Sequence, residues 1–300
     1  LLNKGIWINY VKPAVWAAIA GSFGFIMLTF VGFSTGKFIL QDPYYHWFRD
    51  IAGGKITFVE FNFFRLVLNE HLLLAPAFVY CFYQSLKNKK LYFYLGALLL
   101  AILAINLTRV YFLGIAAGIL TLLPKTNFRL WLKRVGAYSL IFITIFCTLF
   151  MLGSGGHSLG LEVFGLRIQS IIMPNIENSS LSRILLLPEI WNKIKKEPML
   201  GSGLGSTISV YSPIFNKVVT TPHFDWGYFE LAAELGVIGL TSWIAFLIFS
   251  FMKLKKHPGF LLAAFVSMLI INITSPAVFH VFGFILIAFL IAVSDHVSQE

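Results

Sequence analysis

Charge is what this sequence has least of. Only 12% of its 300 residues are Asp, Glu, Lys or Arg, about half the ~25% of a soluble domain. That deficit excludes a water-soluble surface and, with it, an ordinary soluble enzyme. Cysteine is scarce too. Cys81 and Cys147 both lie in apolar runs, at no metal-ligand spacing, and read as packing residues rather than as a disulfide or metal framework. A G-x-x-x-x-G-K-[ST] phosphate loop and an H-E-x-x-H zinc pair are both absent. No signal peptide with a cleavage site is visible. Methionine is missing from the first position, and a chain opening on Leu1 is expected to be part of a longer protein with earlier spans.

What is present is apolar: 58% hydrophobic residues, 31 Phe, 16% aromatics and a mean hydropathy of +0.80. Aromatic-rich apolar runs of this kind belong to polytopic membrane proteins with interfacial aromatic belts. The net charge of +10 lies largely in short basic clusters between those runs. Such clusters mark cytoplasmic loops, so the charge is read as topology and not as a nucleic-acid surface.

A membrane span needs about 20 apolar residues. The first is expected at about Pro13–Phe33, with Lys4 and Lys12 before it. An external loop at about 34–64 follows, in which Tyr44-Tyr-His-Trp-Phe48 reads as an interfacial anchor. A second span runs from about Arg65 to Leu86. The run Leu91–Pro124 has 34 residues, which as one helix would be about 51 Å long against a ~30 Å hydrocarbon core. Both its flanks are basic, Lys87, Lys89 and Lys90 before it and Lys125, Arg129, Lys133 and Arg134 after it. It must therefore cross an even number of times, as a hairpin turning at Asn106-Leu-Thr-Arg109 on the far side.

A fifth span is expected at about Val135–Leu152, closing a first region over residues 1–152. More than seventy residues without a convincing span follow, residues 153–226, and parity of crossings puts them outside. In that loop Ser182–Glu197 reads as an amphipathic helix kinked or restarted by Pro188. Residues 227–300 hold a sixth span, about Gly227–Met252, and a second hairpin broken at Thr274-Ser-Pro276. The expected fold is all-α: a polytopic transmembrane helical bundle of about eight spans, with a large extracytoplasmic loop containing short helices.

Three elements meet on the outer face: the turn at Arg109, the long loop, and Thr221–Leu240, where a polar loop becomes an apolar helix. Arg109, Arg183 and His223 together suit one kind of chemistry. Guanidinium forks match phosphate oxygens and hold their charge at any working pH. A lipid-linked glycosyl pyrophosphate already carries a good leaving group, so it needs cations for the developing charge and a base for the incoming hydroxyl. Two arginines and a histidine suffice, without a metal or other cofactor.

Each residue also has a purely structural reading. Arg109 and Arg65 can be interfacial anchors, Arg183 a solvated helix charge, and His223 a loop residue held by backbone. Glu230 and Glu234, on one helix face at i,i+4, can be supports bonded to their neighbours. His280 reads as structural. Asn106-Leu-Thr, Asn178-Ser-Ser and Asn272-Ile-Thr match the glycosylation sequon, a weak three-residue pattern.

The ordered motifs carry a resemblance. Leu107-Thr-Arg109 is followed by Ser182-Arg-x7-Trp-Asn-Lys-Ile-x3-Pro-Met-Leu-Gly-Ser-Gly-Leu-Gly205. Then comes Pro222-His-Phe-Asp225, running into Glu230-Leu-Ala-Ala-Glu-Leu-Gly-Val-Ile-Gly239. From about Arg65 to the C-terminus, and most densely over Ser182–Leu240, this resembles the O-antigen ligase and O-antigen polymerase superfamily of bacterial membrane glycosyltransferases. The resemblance implies a fold of the membrane glycosyltransferase (GT-C-like) type in the bacterial inner membrane. It implies an undecaprenyl-pyrophosphate-linked glycan donor, a glycan or lipid A core acceptor, and a metal-independent, inverting transfer on the periplasmic face. Chain-length regulators and other polysaccharide-assembly proteins are the implied partners.

Carried over, Arg109 and Arg183 grip the pyrophosphate, with Arg65 as a further substrate contact, and His223 is the base. The family's base usually precedes the E-x-G glycine by eleven residues. Counting back from Gly236, that slot is Asp225, so His223 and Asp225 are both candidates. The asparagine that usually follows the histidine is absent, which leaves polymerase and ligase both open. A transporter or flippase for lipid-linked glycans is the alternative from another class, and a non-catalytic envelope scaffold is a third.

Overall fold

The computed structural model describes residues 12–173, 178–212 and 216–297; Lys4 lies outside the described residues. Helix dominates, as the hydropathy pattern requires. The helices are α1 (Lys12–Ser34), α2 (Leu74–Leu86), α3 (Lys90–Asn106), α4 (Arg109–Thr121), α5 (Phe128–Gly153), α6 (Leu161–Ile172), α7 (Asn178–Lys196), α8 (Gly227–Leu254), α9 (Gly259–Ile271) and α10 (Val281–Val297). A single turn at Pro43–His46 continues into a π-type turn, Trp47–Ile51.

Among the described residues, three helical stretches are long and apolar enough to cross a membrane: Ala17–Ser34 of α1, α5 and α8. The helices α3, α4, α9 and the Val281–Asp295 part of α10 are apolar but shorter. At 1.5 Å per residue a helix the length of α4 rises about 20 Å, less than the ~30 Å core. This is the make-up of a helical membrane protein. The chain does break at Leu107–Thr108 and again between α9 and α10, where the two hairpin turns are expected.

Two strand pairs depart from the expected pattern. Strands β1 (Lys55–Glu60) and β2 (Phe63–Val67) pair antiparallel, joined by Phe61 and Asn62, both in the left-handed region (φ 46 and 57). A two-residue hairpin of primed type requires that conformation. Strands β3 (Ile208–Ser212) and β4 (Lys217–Thr221) form a second antiparallel pair. All four are rich in β-branched or aromatic residues, which favour a pleated, half-buried surface. The first hairpin also corrects the second span. Arg65 lies on β2, a 3-10 turn covers Asn69–Leu73, and the helix starts only at Leu74.

Two boundaries shift as well. Helix α5 starts at Phe128, so Arg129, Lys133 and Arg134 sit in its first turns and not in the preceding loop. Asn127 caps it, its Oδ1 accepting the amides of Arg129 (3.0 Å) and Leu130 (3.3 Å). Helix α7 begins at Asn178 and continues across Pro188 as one helix, forfeiting the amide that residue 188 would have donated.

Two compact units are assembled from interleaved stretches: 1–71, 89–107 and 132–161 in the first, 72–88, 108–131 and 162–300 in the second. In the first unit Phe63 of β2 is the centre of an aromatic core. Its ring lies 5.1 Å from Phe30 and stacks 4.9 Å from Phe150, and all three are buried. Such pairs add about 1 kcal/mol each beyond their area.

In the second unit α4 packs against α2 and α9. A Cβ at Gly114 would stand 2.9 Å from the Ser267 carbonyl oxygen, and one at Gly118 would stand 3.0 Å from that of Ala263. Small residues four apart are what let helix backbones approach this closely. Leu247, Leu261, Phe265, Val278 and Ile287 join α8, α9 and α10 in a larger core. A smaller cluster joins Leu186 and Ile190 of α7, Ile208 of β3, Phe224, and Ala233 of α8. That small cluster is what places the candidate site.

Candidate active site

Phe224 is fully buried in the small cluster and pins the β4–α8 turn to α7. The next two residues hold α7 at a single point, Arg183. Asp225 adopts a left-handed backbone (φ 57), which aspartate tolerates better than most side chains. Its Oδ2 lies 3.8 Å from Arg183 Nε. Trp226 Nε1 donates to the Arg183 carbonyl oxygen at 2.9 Å. The Arg183 and Asp225 side chains are 28% and 45% exposed, so their pairing is worth at most about 1 kcal/mol of stability. Its effect is to aim the guanidinium.

His223 precedes this clamp. Its backbone is fixed by Thr221, whose Oγ1 accepts the His223 amide (3.0 Å) and donates to the His223 carbonyl oxygen (3.2 Å). The ring is exposed and makes no hydrogen bond among the described residues.

Arg109 is the first residue of α4, after Leu107 in the left-handed region (φ 49) and Thr108 in an extended one. A cation at a helix N-terminus faces the positive end of the helix dipole. The arrangement concentrates positive potential where an anion is best accommodated. Arg109 Nη1 donates to Ser170 Oγ of α6, and Ser170 Oγ donates to the Arg167 carbonyl oxygen at 3.0 Å. Ser170 is buried. Sequence reasoning missed it, since one serine in an amphipathic stretch carries no signal.

Glu230 and Glu234 each hold a loop amide. Glu230 Oε2 accepts from Phe224 at 3.2 Å, and Glu234 Oε1 accepts from Gly205 at 2.8 Å. Two residues beyond Glu234 the helix is interrupted at Gly236 (φ 64, ψ −169). The glycine-rich loop fills the interruption backbone to backbone. Ser202 and Gly203 amides donate to the Ala233 and Glu234 carbonyls, both at 2.9 Å. In return, Val237 and Ile238 amides donate to the Pro198 and Met199 carbonyls, at 2.8 and 3.3 Å. A Cβ at Gly201 would lie 2.3 Å from the Glu234 carbonyl, and one at Gly236 would lie 2.3 Å from the Met199 oxygen. The P-M-L-G-S-G-L-G and E-L-G motifs are thus two halves of one joint. The amides of Gly203 and Gly205 are both spent on it, while the Gly201 amide donates to the Glu197 carbonyl just past α7.

Arg65 belongs to the first unit, the other six candidate residues to the second. Arg65 Nε donates to the Asn106 carbonyl oxygen at 2.6 Å. Asn106 Nδ2 also lies 2.7 Å from His71 Nδ1, which accepts the Leu68 amide at 3.3 Å. With Nδ1 accepting, the ring proton resides on Nε2. Burial pushes the His71 pKa down to about 4. His71 is a polar node that the sequence reading did not single out. Asn106 and Asn272, two of the three sequon asparagines, are fully buried.

The profile of the O-antigen ligase family matches residues 94–244, half of the chain. The chain belongs to the O-antigen ligase family. The match spans Arg109, Arg183, His223, Asp225, Glu230 and Glu234, and it leaves Arg65 outside. It also contains both halves of the glycine joint, so this O-antigen ligase family member carries the joint within the family's own segment. A polysaccharide ligase or polymerase role follows from membership. No curated protein and no solved structure matches the chain.

Proposed function

We propose that the protein joins polyprenyl-pyrophosphate-linked glycans, undecaprenyl being the bacterial carrier, on the periplasmic face of the inner membrane. The chain crosses the membrane eight times, and the acceptor is a second glycan or the lipid A core. Arg109 and Arg183 hold the pyrophosphate. His223 takes the proton of the acceptor hydroxyl as its oxygen attacks the anomeric carbon. The bond from that carbon to the pyrophosphate breaks, and the electron pair leaves with the polyprenyl pyrophosphate. The two guanidiniums neutralise the charge that develops there, so the step calls for no metal, and attack opposite the leaving group inverts the anomeric centre.

The observation that carries this reading is the β4–α8 turn. It leaves the His223 ring unengaged while its next residues aim Arg183. Asp225 faces Arg183, which favours His223 over Asp225 as the base. The test is transfer by purified protein, using polyprenyl-pyrophosphate-linked repeat units from the source cells, with and without EDTA. Turnover is expected to persist in EDTA. Arg109→Ala and Arg183→Ala should each lower kcat/KM by about a hundredfold or more, and His223→Ala should lower kcat by about 10²–10⁴. Wild-type turnover in all three variants overturns the mechanism.

A further inference from the structure

Along the last turns of α7 a groove of about 680 Å³ opens between that helix, the glycine-rich loop and the start of β3. None of its lining residues has a place in the chemistry above. Its volume is that of a small-molecule pocket, roughly 300–1,000 Å³. The lining includes Glu189 and Glu197 against Lys193 and Lys196, with Asn192 and Ser202 among them. Two carboxylates balance two ammoniums, so the groove selects neither an anion nor a cation. It offers instead a dense set of donors and acceptors, the lining that a neutral ligand rich in hydroxyls requires.

The walls are pre-set. Lys193 Nζ donates to the Thr207 carbonyl at 2.8 Å, and the Ser202 amide is anchored on Ala233. A ligand would have little to order on binding. Asn192 lies nine residues along α7 from Arg183, about 14 Å at 1.5 Å per residue. Ile208 and Ser209 of the groove wall pair across the hairpin with Thr221 and Thr220, and Thr221 fixes the His223 backbone, so the groove lies on the side of the base. An acceptor has to present its hydroxyl there.

We propose that this groove is a saccharide-binding subsite holding the glycan of the acceptor; the acceptor assignment rests on the glycosyl-transfer reading above. Two variants on the exposed face of α7 test it, Asn192→Trp, which fills the groove, and Lys196→Ala, which removes one wall. The first probe is the glycan released from its lipid by mild acid, with binding followed by the fluorescence of the neighbouring Trp191. The second is polyprenyl pyrophosphate without glycan. Both variants should weaken glycan binding about tenfold or more and leave polyprenyl pyrophosphate binding unchanged.

In the transfer assay the acceptor KM should rise by a similar factor, with kcat within about twofold. Unchanged glycan binding in both variants, or equal weakening of both probes, overturns the subsite. A rise in donor KM alone overturns the acceptor assignment. A wild-type protein that binds glycan but transfers none would sink the reaction while leaving the groove in place.

Discussion

Asp225 and His223 lie two positions apart and have different partners. Asp225 faces Arg183, whereas His223 has only its backbone fixed. Asp225→Asn is therefore expected to raise the donor KM several-fold while keeping kcat within about threefold. His223→Ala should do the reverse; initial-rate kinetics with both substrates varied separate the two. Should Asp225→Asn abolish kcat while His223→Ala spares it, the roles are exchanged.

His71 supplies a test of stability at the same scale. It lies in the 3-10 turn that precedes α2, and burial lowers its pKa from 6.5 to about 4 in the folded chain. Between those two values the unfolded chain takes up a proton at His71 that the folded chain does not. Folded stability is thus full above pH ~6.5 and falls on acidification toward pH 4, by up to roughly 3 kcal/mol. Thermal unfolding of detergent-solubilised protein at pH 7.5 and 5 should show the loss, and His71→Phe should flatten it. Equal slopes for wild type and variant would rule His71 out as the cause.

At the scale of elements, the joint between the glycine-rich loop and α8 is the feature most exposed to substitution. Gly201 and Gly203 both have positive φ, but a Cβ at Gly201 collides with the Glu234 carbonyl while one at Gly203 meets open space. Gly203→Ala should cost only the backbone strain, about 1 kcal/mol. Gly201→Ala and Gly236→Ala should cost about 3 kcal/mol or more, since the backbones must part. Thermal unfolding of the three variants checks the order; a Gly203→Ala as damaging as Gly201→Ala would contradict it.

The motif letters were legible in the sequence, and so was their order. Their meaning was not, because a backbone-to-backbone contact leaves no trace in residue types except the glycines that permit it. The β-hairpins were illegible for a related reason. Each is short, and its pairing partner matters more than its own pattern.

For the whole molecule, the expectation is that the β3–β4 turn and the end of α8 lie on opposite sides of a membrane. With Cys81→Ala and Cys147→Ala as background, Lys217→Cys should react with an impermeant maleimide on intact spheroplasts. Lys255→Cys should react only after permeabilisation. Both positions are exposed and flank the 28-residue α8. Labelling of both from the same side would break the parity count on which the outer location of His223 rests.

Membrane character, the long helices and the two breaks at Leu107–Thr108 and after α9 were readable from composition and run length alone. Hydropathy is a local quantity, and a helix satisfies its own backbone hydrogen bonds wherever it lies. Most of the candidate residues could be named in the same way, since arginine, histidine and carboxylates are costly in such a chain. What needed the folded chain was the company each residue keeps: Arg183 with Asp225 and Trp226, Arg109 with Ser170, Arg65 with Asn106, and the glycine loop with the break at Gly236. These partners are 31 to 61 positions apart along the chain, and packing brings them together through side chains such as Phe224 and Leu186, which any apolar run contains.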